Sequence, residues 1–229
     1  MKKLPIVVIA CRVLQDLLTP LIPEDLAAQV TYTDYGLHRH PSRLNKTVQD
    51  AIDSINEPSL VVLGYGLCGD GLNGIRAGKH TLLIPRVDDC IALLLGSYQV
   101  YRREFDAVPG TYYLSKGWLE SDDHPLKEYE EYVEKYGPKD AVFVMDMQYQ
   151  HYERLVFVIH NHADLEKYRP LAQEVARYCE RWGMRYEEIL GSDAFMRRLV
   201  EVAVVLEKAD EDFLIISAGG EIRQAHFLR

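Results

Sequence analysis

Short apolar runs that alternate with helical patterns predict an α/β protein with a largely parallel sheet and flanking helices. Three observations carry that expectation. Apolar runs of strand length recur at 5–10, 59–64, 80–85, 154–159 and 213–217. Most are followed by a stretch whose apolar residues fall at helical spacing. Several end in glycine, proline or aspartate, the residues that turn a strand into the next element. Over 229 residues this pattern predicts two Rossmann-like lobes, residues 1–121 and 122–229.

The first strand is PIVVIA (5–10), ending at Cys11, and a short helical piece is expected at 24–28. VTYTDY (30–35) alternates as a second strand. Leu37-His38-Arg39-His40-Pro41 reads as a loop, because the residue before proline is pushed out of the helical region. Ser42 is placed as the N-cap of an amphipathic helix carrying Leu44, Val48, Ala51, Ile52 and Ile55. SLVVLG (59–64) is the third strand and runs into Gly64-Tyr65-Gly66-Leu67-Cys68-Gly69. A short helix at 71–78 and a fourth strand, HTLLIP (80–85), come next. Asp88 or Asp89 caps an apolar helix that starts near Cys90.

TYYLS (111–115) is assigned to the first lobe as its fifth strand. From Asp122 the chain turns charged and tyrosine-rich, and this stretch is read as a crossover between lobes. The second lobe takes helices at about 126–136 and 139–152, RLVFVI (154–159), a helix over 165–182, and MRYEEIL (184–190). A helix capped by Asp193 and FLIIS (213–217) complete it.

Composition sets the function classes. A hydrophobic share of 48% with 27% charged residues is that of a globular chain. The net charge of −9 gives nothing with which to neutralise phosphates, which argues against nucleic-acid binding. Ile6 to Ala10 is too short for a signal segment, and no apolar stretch is long enough to span a membrane, so a cytoplasmic place is expected. In a reducing compartment Cys11, Cys68, Cys90 and Cys179 are thiols or metal ligands, not disulfides.

Ligands gather at the carboxyl ends of the strands of a parallel sheet. Read that way, Cys11 follows the first strand, His38 the second, Cys68 the third and Cys90 the fourth. Three thiolates and an imidazole suit zinc or an iron–sulfur cluster. His40 is an alternative to His38. Arg12 and Arg86, beside strand ends, and the dipole of a helix starting at Cys90 are expected to favour thiolates. Arg86 and Asp89, with His38, are the candidate catalytic groups, and Arg12 the candidate anion or cofactor contact. Taken singly, each cysteine reads equally as a small core residue. Cys179, beside Leu171, Val175 and Trp182 at helical spacing, is placed in the core.

Gly64, Gly66 and Gly69 also match the G-x-G-x-x-G pattern of dinucleotide sites. That pattern here follows the third strand and not the first, and its acidic partner falls in a turn at Asp88 or Asp89. The glycines are therefore also read as places where backbone comes close to a metal, cluster or substrate. His160-Asn161-His162 reads first as a polar turn capping a helix, and only then as a metal pair. Gly219-Gly220 makes a turn or lines a pocket. The tyrosines of 129–152 form a core or a dimer face, and no G-x-S-x-G elbow is present.

Leu37-His38 with Pro41 and Leu44, GYGLCGDG (64–71), PRVDDCIALLLGS (85–97) and PGTYYLSKGWLE (109–120) resemble a family catalogued as domain of unknown function 1638. The resemblance runs over roughly 5–225, is strongest in the first half, and matches at Cys11, His38, Cys68 and Cys90. It carries no assigned activity. It implies an association with anaerobic one-carbon metabolism and corrinoid-dependent methyl transfer. The expectation is thus a cytoplasmic metal-binding protein, an enzyme or cofactor-handling protein acting on a small-molecule substrate. An accessory protein that binds a corrinoid system through its tyrosine-rich segment, a metal-free nucleotide-binding enzyme and a homodimer are the alternatives.

Overall fold

The computed structural model describes residues 4–229; Met1, Lys2 and Lys3, part of the reading against a signal segment, lie outside them. In chain order, β1 (Ile6–Cys11) is followed by a 3-10 turn and α1 (Gln15–Leu18), then β2 (Ala27–Thr33) and α2 (Pro41–Asp53). β3 (Leu60–Gly64), β4 (Thr81–Pro85), α3 (Ile91–Leu95) and α4 (Tyr98–Ala107) come next. The chain continues through β5 (Thr111–Ser115), α5 (Lys116–Glu120), α6 (Pro125–Tyr136), α7 (Pro138–Tyr149), β6 (Arg154–Ile159) and α8 (His162–Cys179). β7 (Arg185–Leu190), α9 (Ala194–Val204) and β8 (Phe213–Ile216) close it.

The α/β expectation holds, as a mostly parallel five-stranded sheet and a parallel three-stranded one, each with helices. The division of the chain is another matter. Compact units form from 1–98 together with 193–229, and from 99–192, where a single cut at 121 was expected. Pairing explains the difference. β5 joins β6, not β4, with Thr111 opposite Arg154 and Ser115 opposite Val158. β8 returns to the first sheet and runs antiparallel to β4, with Leu82 opposite Ile216. A strand's partner is a long-range choice that local periodicity does not encode.

In the first unit the order is β2-β1-β3-β4-β8. All of β3 is buried, and β1 is buried up to Ala10, so both read as continuous apolar runs. One face packs Val7, Ile9, Val61, Leu63, Leu82 and Ile84 against Leu44, Val48 and Ile52 of α2. Those three helix residues recur at a spacing of four, so a single stripe meets the sheet. α2 starts at Pro41 with His40 as its N-cap; Ser42, the expected cap, is inside the helix, because proline is pre-set for the first helical position. Two other local assignments change. Residues 24–28 turn and enter β2, and 71–78 is a succession of turns with Gly74 and Gly78 at positive φ, not a helix.

In the second unit β5-β6-β7 are parallel. The charged, tyrosine-rich stretch is the α6–α7 hairpin, which connects β5 to β6 within this one sheet. Tyr149 of α7 is buried, and it packs with Tyr112 of β5, Tyr152 and Trp182, ring centroids in this group lying between 5.1 and 5.8 Å apart. Cys179 is fully buried in this core, as expected, and burial pushes its thiol up to about 12. The large apolar side chains that this hairpin leaves exposed are Tyr136, Phe143 and Met147.

Candidate functional site

The chain passes from β1 to β2 on one side of the first sheet, then crosses back to β3 on the other. This reversal opens a crevice beyond the carboxyl ends of β1 and β3, where open α/β sheets bind ligands. Cys11 is the last residue of β1, and Cys68 lies four residues beyond the end of β3.

The loops after β3 and β4 are zipped together. Leu67 N–H donates to the Val87 carbonyl at 2.9 Å and Cys68 N–H to the Asp88 carbonyl at 2.8 Å. Gly66 makes this approach feasible, since a Cβ there would stand 2.8 Å from the N, Cα and C atoms of Asp89. Gly64 has the same kind of reason, with Ala10 Cβ 2.6 Å from where its own Cβ would be. Gly69 supplies a left-handed turn at φ 61°. All three glycines thus serve close approach and turning. The turns beyond them offer no helix N-terminus on which a pyrophosphate could rest.

Cys68 adopts the left-handed region as well, at φ 52°. For a residue with a Cβ this costs roughly 1 kcal/mol or more. Its N–H bond to Asp88 and its carbonyl, which accepts from Gly71 N–H at 3.1 Å, hold it there. Across the zipper, Asp89 caps α3 by accepting from Ile91 N–H at 2.8 Å, and Cys90 is the residue from which that helix starts.

Cys11, Cys68 and Cys90 are each partly buried, and they lie close enough to act on one another electrostatically. Burial raises the Cys68 thiol far above its ordinary value, and the charges of Cys11 and Asp89 raise it further. Cys90 is raised by burial, then by Cys68, Asp89 and Cys11. Cys11 is raised by burial, against one backbone hydrogen bond from Val13. The expected stabilisation of thiolates therefore fails. α3 is a single five-residue turn of helix whose dipole does not offset burial. Arg12 is exposed and turned to Asp34, 3.7 Å away, and to the Tyr35 ring.

Arg86 is not brought to the crevice. Its Nε donates to the His226 carbonyl at 2.8 Å and its Nη2 to the Leu228 carbonyl, so it fastens the last residues of the chain to the end of β4. His38 is brought in. It lies in a 3-10 turn (Tyr35–Arg39) after β2, and its Nδ1 is 2.9 Å from the Tyr35 carbonyl. A carbonyl only accepts, so Nδ1 carries a proton in this contact. Asp89 senses His38: burial lifts its carboxyl to about 6, with the Ile91 N–H, Asp88 and His38 as lesser influences. His40 is exposed at the start of α2.

Sequence reasoning overlooked Tyr65 and Thr33. Tyr65 is buried just beyond β3, and its hydroxyl is 2.5 Å from Thr33 Oγ1 at the end of β2. Burial first, and then the charges of Cys11 and Cys68, keep its phenol protonated. The one signal available was a large aromatic between two glycines at a strand end. In the other unit, Asn161 caps α8 by accepting from Asp164 N–H at 2.8 Å while His162 is exposed beside Glu166, so that tripeptide is the polar turn expected. Gly219 and Gly220 turn after β8 and bond to Gly78 and Ala77.

Among the described residues, no group of three or more His, Cys, Asp or Glu side chains is drawn around a common point as in a closed metal site. The donor types fit a thiophilic metal, but the thiols stand as neighbours and not as a finished cage. Among the same residues no helix is long and apolar enough to cross a membrane.

The family model described as "Protein of unknown function (DUF1638)" matches residues 32–200, most of the chain, and the chain belongs to that family. The matched stretch includes His38, Tyr65, Cys68, Asp89 and Cys90, and leaves Cys11 and Arg12 outside. Neither a curated protein nor a solved structure matches.

Proposed function

We propose that this family member is a thiolate metal protein, with Cys11, Cys68 and Cys90 as ligands and His38 as the fourth donor or an acid–base group beside it. One observation carries this reading. Three partly buried thiols, at the end of one strand and in the loops after two of its neighbours in the sheet, lie close enough to influence one another, in surroundings that penalise their negative charge. A divalent cation supplies the missing positive charge, and coordination deprotonates thiols outright. Zinc and an iron–sulfur cluster both suit this donor set.

Three sulfur ligands leave a position for His38 Nε2 or for a substrate. The reading therefore extends to an enzyme that activates a bound thiol or water. Asp89, titrating near 6, is suited to accept or return a proton at neutral pH. We also read the first unit as a Rossmann-like lobe, a description that the order β2-β1-β3-β4 supports. The link to corrinoid-dependent methyl transfer rests on the resemblance, and no side chain of the crevice bears on it.

Metal analysis of anaerobically purified protein tests the proposal, alongside its colour, since a brown protein means a cluster. Stoichiometric metal is expected in the wild type and is lost on Cys68→Ser. Wild-type metal content in Cys68→Ser refutes the site.

A further inference from the structure

β2 is the outermost strand of the first sheet, with β1 on one side of it. The register skips Ala28, and residues 29–33 then run evenly beside residues 7–11. Half of the backbone groups of such a strand point away from its neighbour. Among the described residues, 27–33 make no backbone hydrogen bond outside the ladder with β1. Natural sheet edges are guarded by charge, proline or brevity. β8, at the other edge of this sheet, is four residues long, and β7, at an edge of the second sheet, carries Arg185, Glu187 and Glu188. β2 has seven residues, AAQVTYT, with neither a charge nor a proline. The flanking acids lie outside it, at Asp25 and at Asp34, which Arg12 approaches to 3.7 Å. Val30 is exposed, and the Tyr32 hydroxyl is 2.8 Å from Thr19 Oγ1. A cleft of about 280 Å³ opens beside them, with Ile22, Pro23 and Ala27 among its other walls. On the opposite face Gln29 Nε2 donates to Thr31 Oγ1 at 3.2 Å.

We propose that this edge is an interface with a second copy of the chain, β2 against β2, antiparallel about a two-fold axis at Thr31. The inference is independent of any metal. The strand's own sequence names the occupant, because it is self-complementary about its regular part. Thr31 meets its own counterpart, and Val30 meets the partner's Tyr32 twice over. Threonine pairs and pairs of a β-branched with an aromatic residue are favourable cross-strand neighbours. Gln29 meets the partner's Thr33, so polar faces polar and no charge within the strand opposes another. The partner's Tyr32 is set beside the cleft and covers the exposed Val30. One two-fold axis uses up both β2 edges, so the assembly closes at two copies. A strand pair this short buries less than the roughly 800 Å² per partner of a standard interface, so the dimer forms only over concentrations of roughly 1–100 µM.

Sedimentation velocity on the full chain, from about 1 to about 500 µM, tests this, and wild type should pass from the mass of one chain to that of two. Thr31→Lys and Thr31→Glu each set like charges opposite one another across the axis and should weaken association about tenfold. An equimolar mixture of the two should restore it. Thr31→Cys should cross-link to its counterpart under mild oxidation, since directly opposed Cα atoms of an antiparallel pair lie about 4.5–5.5 Å apart, within reach of a disulfide. Gln29→Cys should not, because its two copies would be displaced by roughly 14 Å along the strands. Peptide mapping assigns each disulfide and so sets aside the native thiols. A wild type that stays monomeric at about 500 µM overturns the proposal. So does a dimer that Thr31→Lys and Thr31→Glu leave intact, or one that links through Gln29→Cys and not through Thr31→Cys. If the charged variants do not fold, Thr31→Cys, close to threonine in size, decides alone: no Thr31→Cys cross-link overturns the interface.

Discussion

Gly66→Ala tests whether the crevice is built by backbone contact between the loops after β3 and β4. The new methyl would lie 2.8 Å from three backbone atoms of Asp89, and backbone cannot swing aside as a side-chain tip would. Overpacking of this kind costs roughly 1–3 kcal/mol. Relief requires the loops to part, which strains the Leu67–Val87 and Cys68–Asp88 hydrogen bonds, each worth about 1 kcal/mol. The expected destabilisation is about 3 kcal/mol, or roughly a 100-fold faster exchange for amides that open only when the unit unfolds. Trp118 and Trp182 both belong to the second unit, so indole fluorescence does not report on this one. Hydrogen exchange at Val61–Leu63 and Leu82–Leu83 does, with Gly74→Ala as the comparison. Gly74 has φ 82° but open space around its Cα, so alanine there meets only the conformational cost of about 1 kcal/mol. Exchange in Gly66→Ala no faster than in Gly74→Ala would refute the argument.

Two further expectations concern the same unit. Asp212 is buried; desolvation works to raise its carboxyl, but Arg198 and Arg229, at 2.6 and 2.7 Å, outweigh this and hold it below the ordinary value. A lowered folded-state value stabilises above the unfolded one. The stability advantage of wild type over Asp212→Asn in urea titrations should therefore be flat at neutral pH. It should shrink as pH falls from about 4, the ordinary carboxylate value, through the lower folded one; a gap unchanged in acid would refute the pairing. Cys68→Gly should be at least as stable as wild type in thermal unfolding, because glycine adopts φ 52° without the strain that cysteine incurs. A loss of more than about 1 kcal/mol would mean that the thiol is there for packing.

Much of the fold was legible because it depends on local pattern. The runs at 5–10, 59–64, 80–85, 111–115, 154–159 and 184–190 all became strands to within a residue or two. Pairing was the part that failed. Nothing in TYYLS says that it will join Arg154–Ile159, nor in FLIIS that it will return to Thr81–Pro85, since both choices are made by distant segments. The helix expected at 71–78 failed where Leu72, Ile75 and Ala77 serve packing inside turns, and the one at 24–28 gave way to a turn and the start of β2. At the site, strand ends were readable, and so were Cys11, Cys68, Cys90 and His38. Electrostatics were not. Arg86 is adjacent in sequence to the loop yet commits its guanidinium to carbonyls at His226 and Leu228. Tyr65 was overlooked because its contact with Thr33 of β2 joins two segments that are distant in the sequence.

The left-handed Cys68 links these threads. A position that requires positive φ is one that glycine fills with least strain, and this loop already carries glycines at 64, 66, 69 and 71. A cysteine there gives up stability, and burial and mutual charge oppose the ionisation of these thiols. Structure that is locally costly, and assembled from three strand ends by a glycine-dependent zipper, is where chemistry is expected rather than packing. Cys179 makes the contrast: it is regular helix, fully buried, and surrounded by the aromatic core of the second unit. Both kinds of thiol are hard to ionise, yet only Cys11, Cys68 and Cys90 stand near enough to one another for the charge of one to oppose the next.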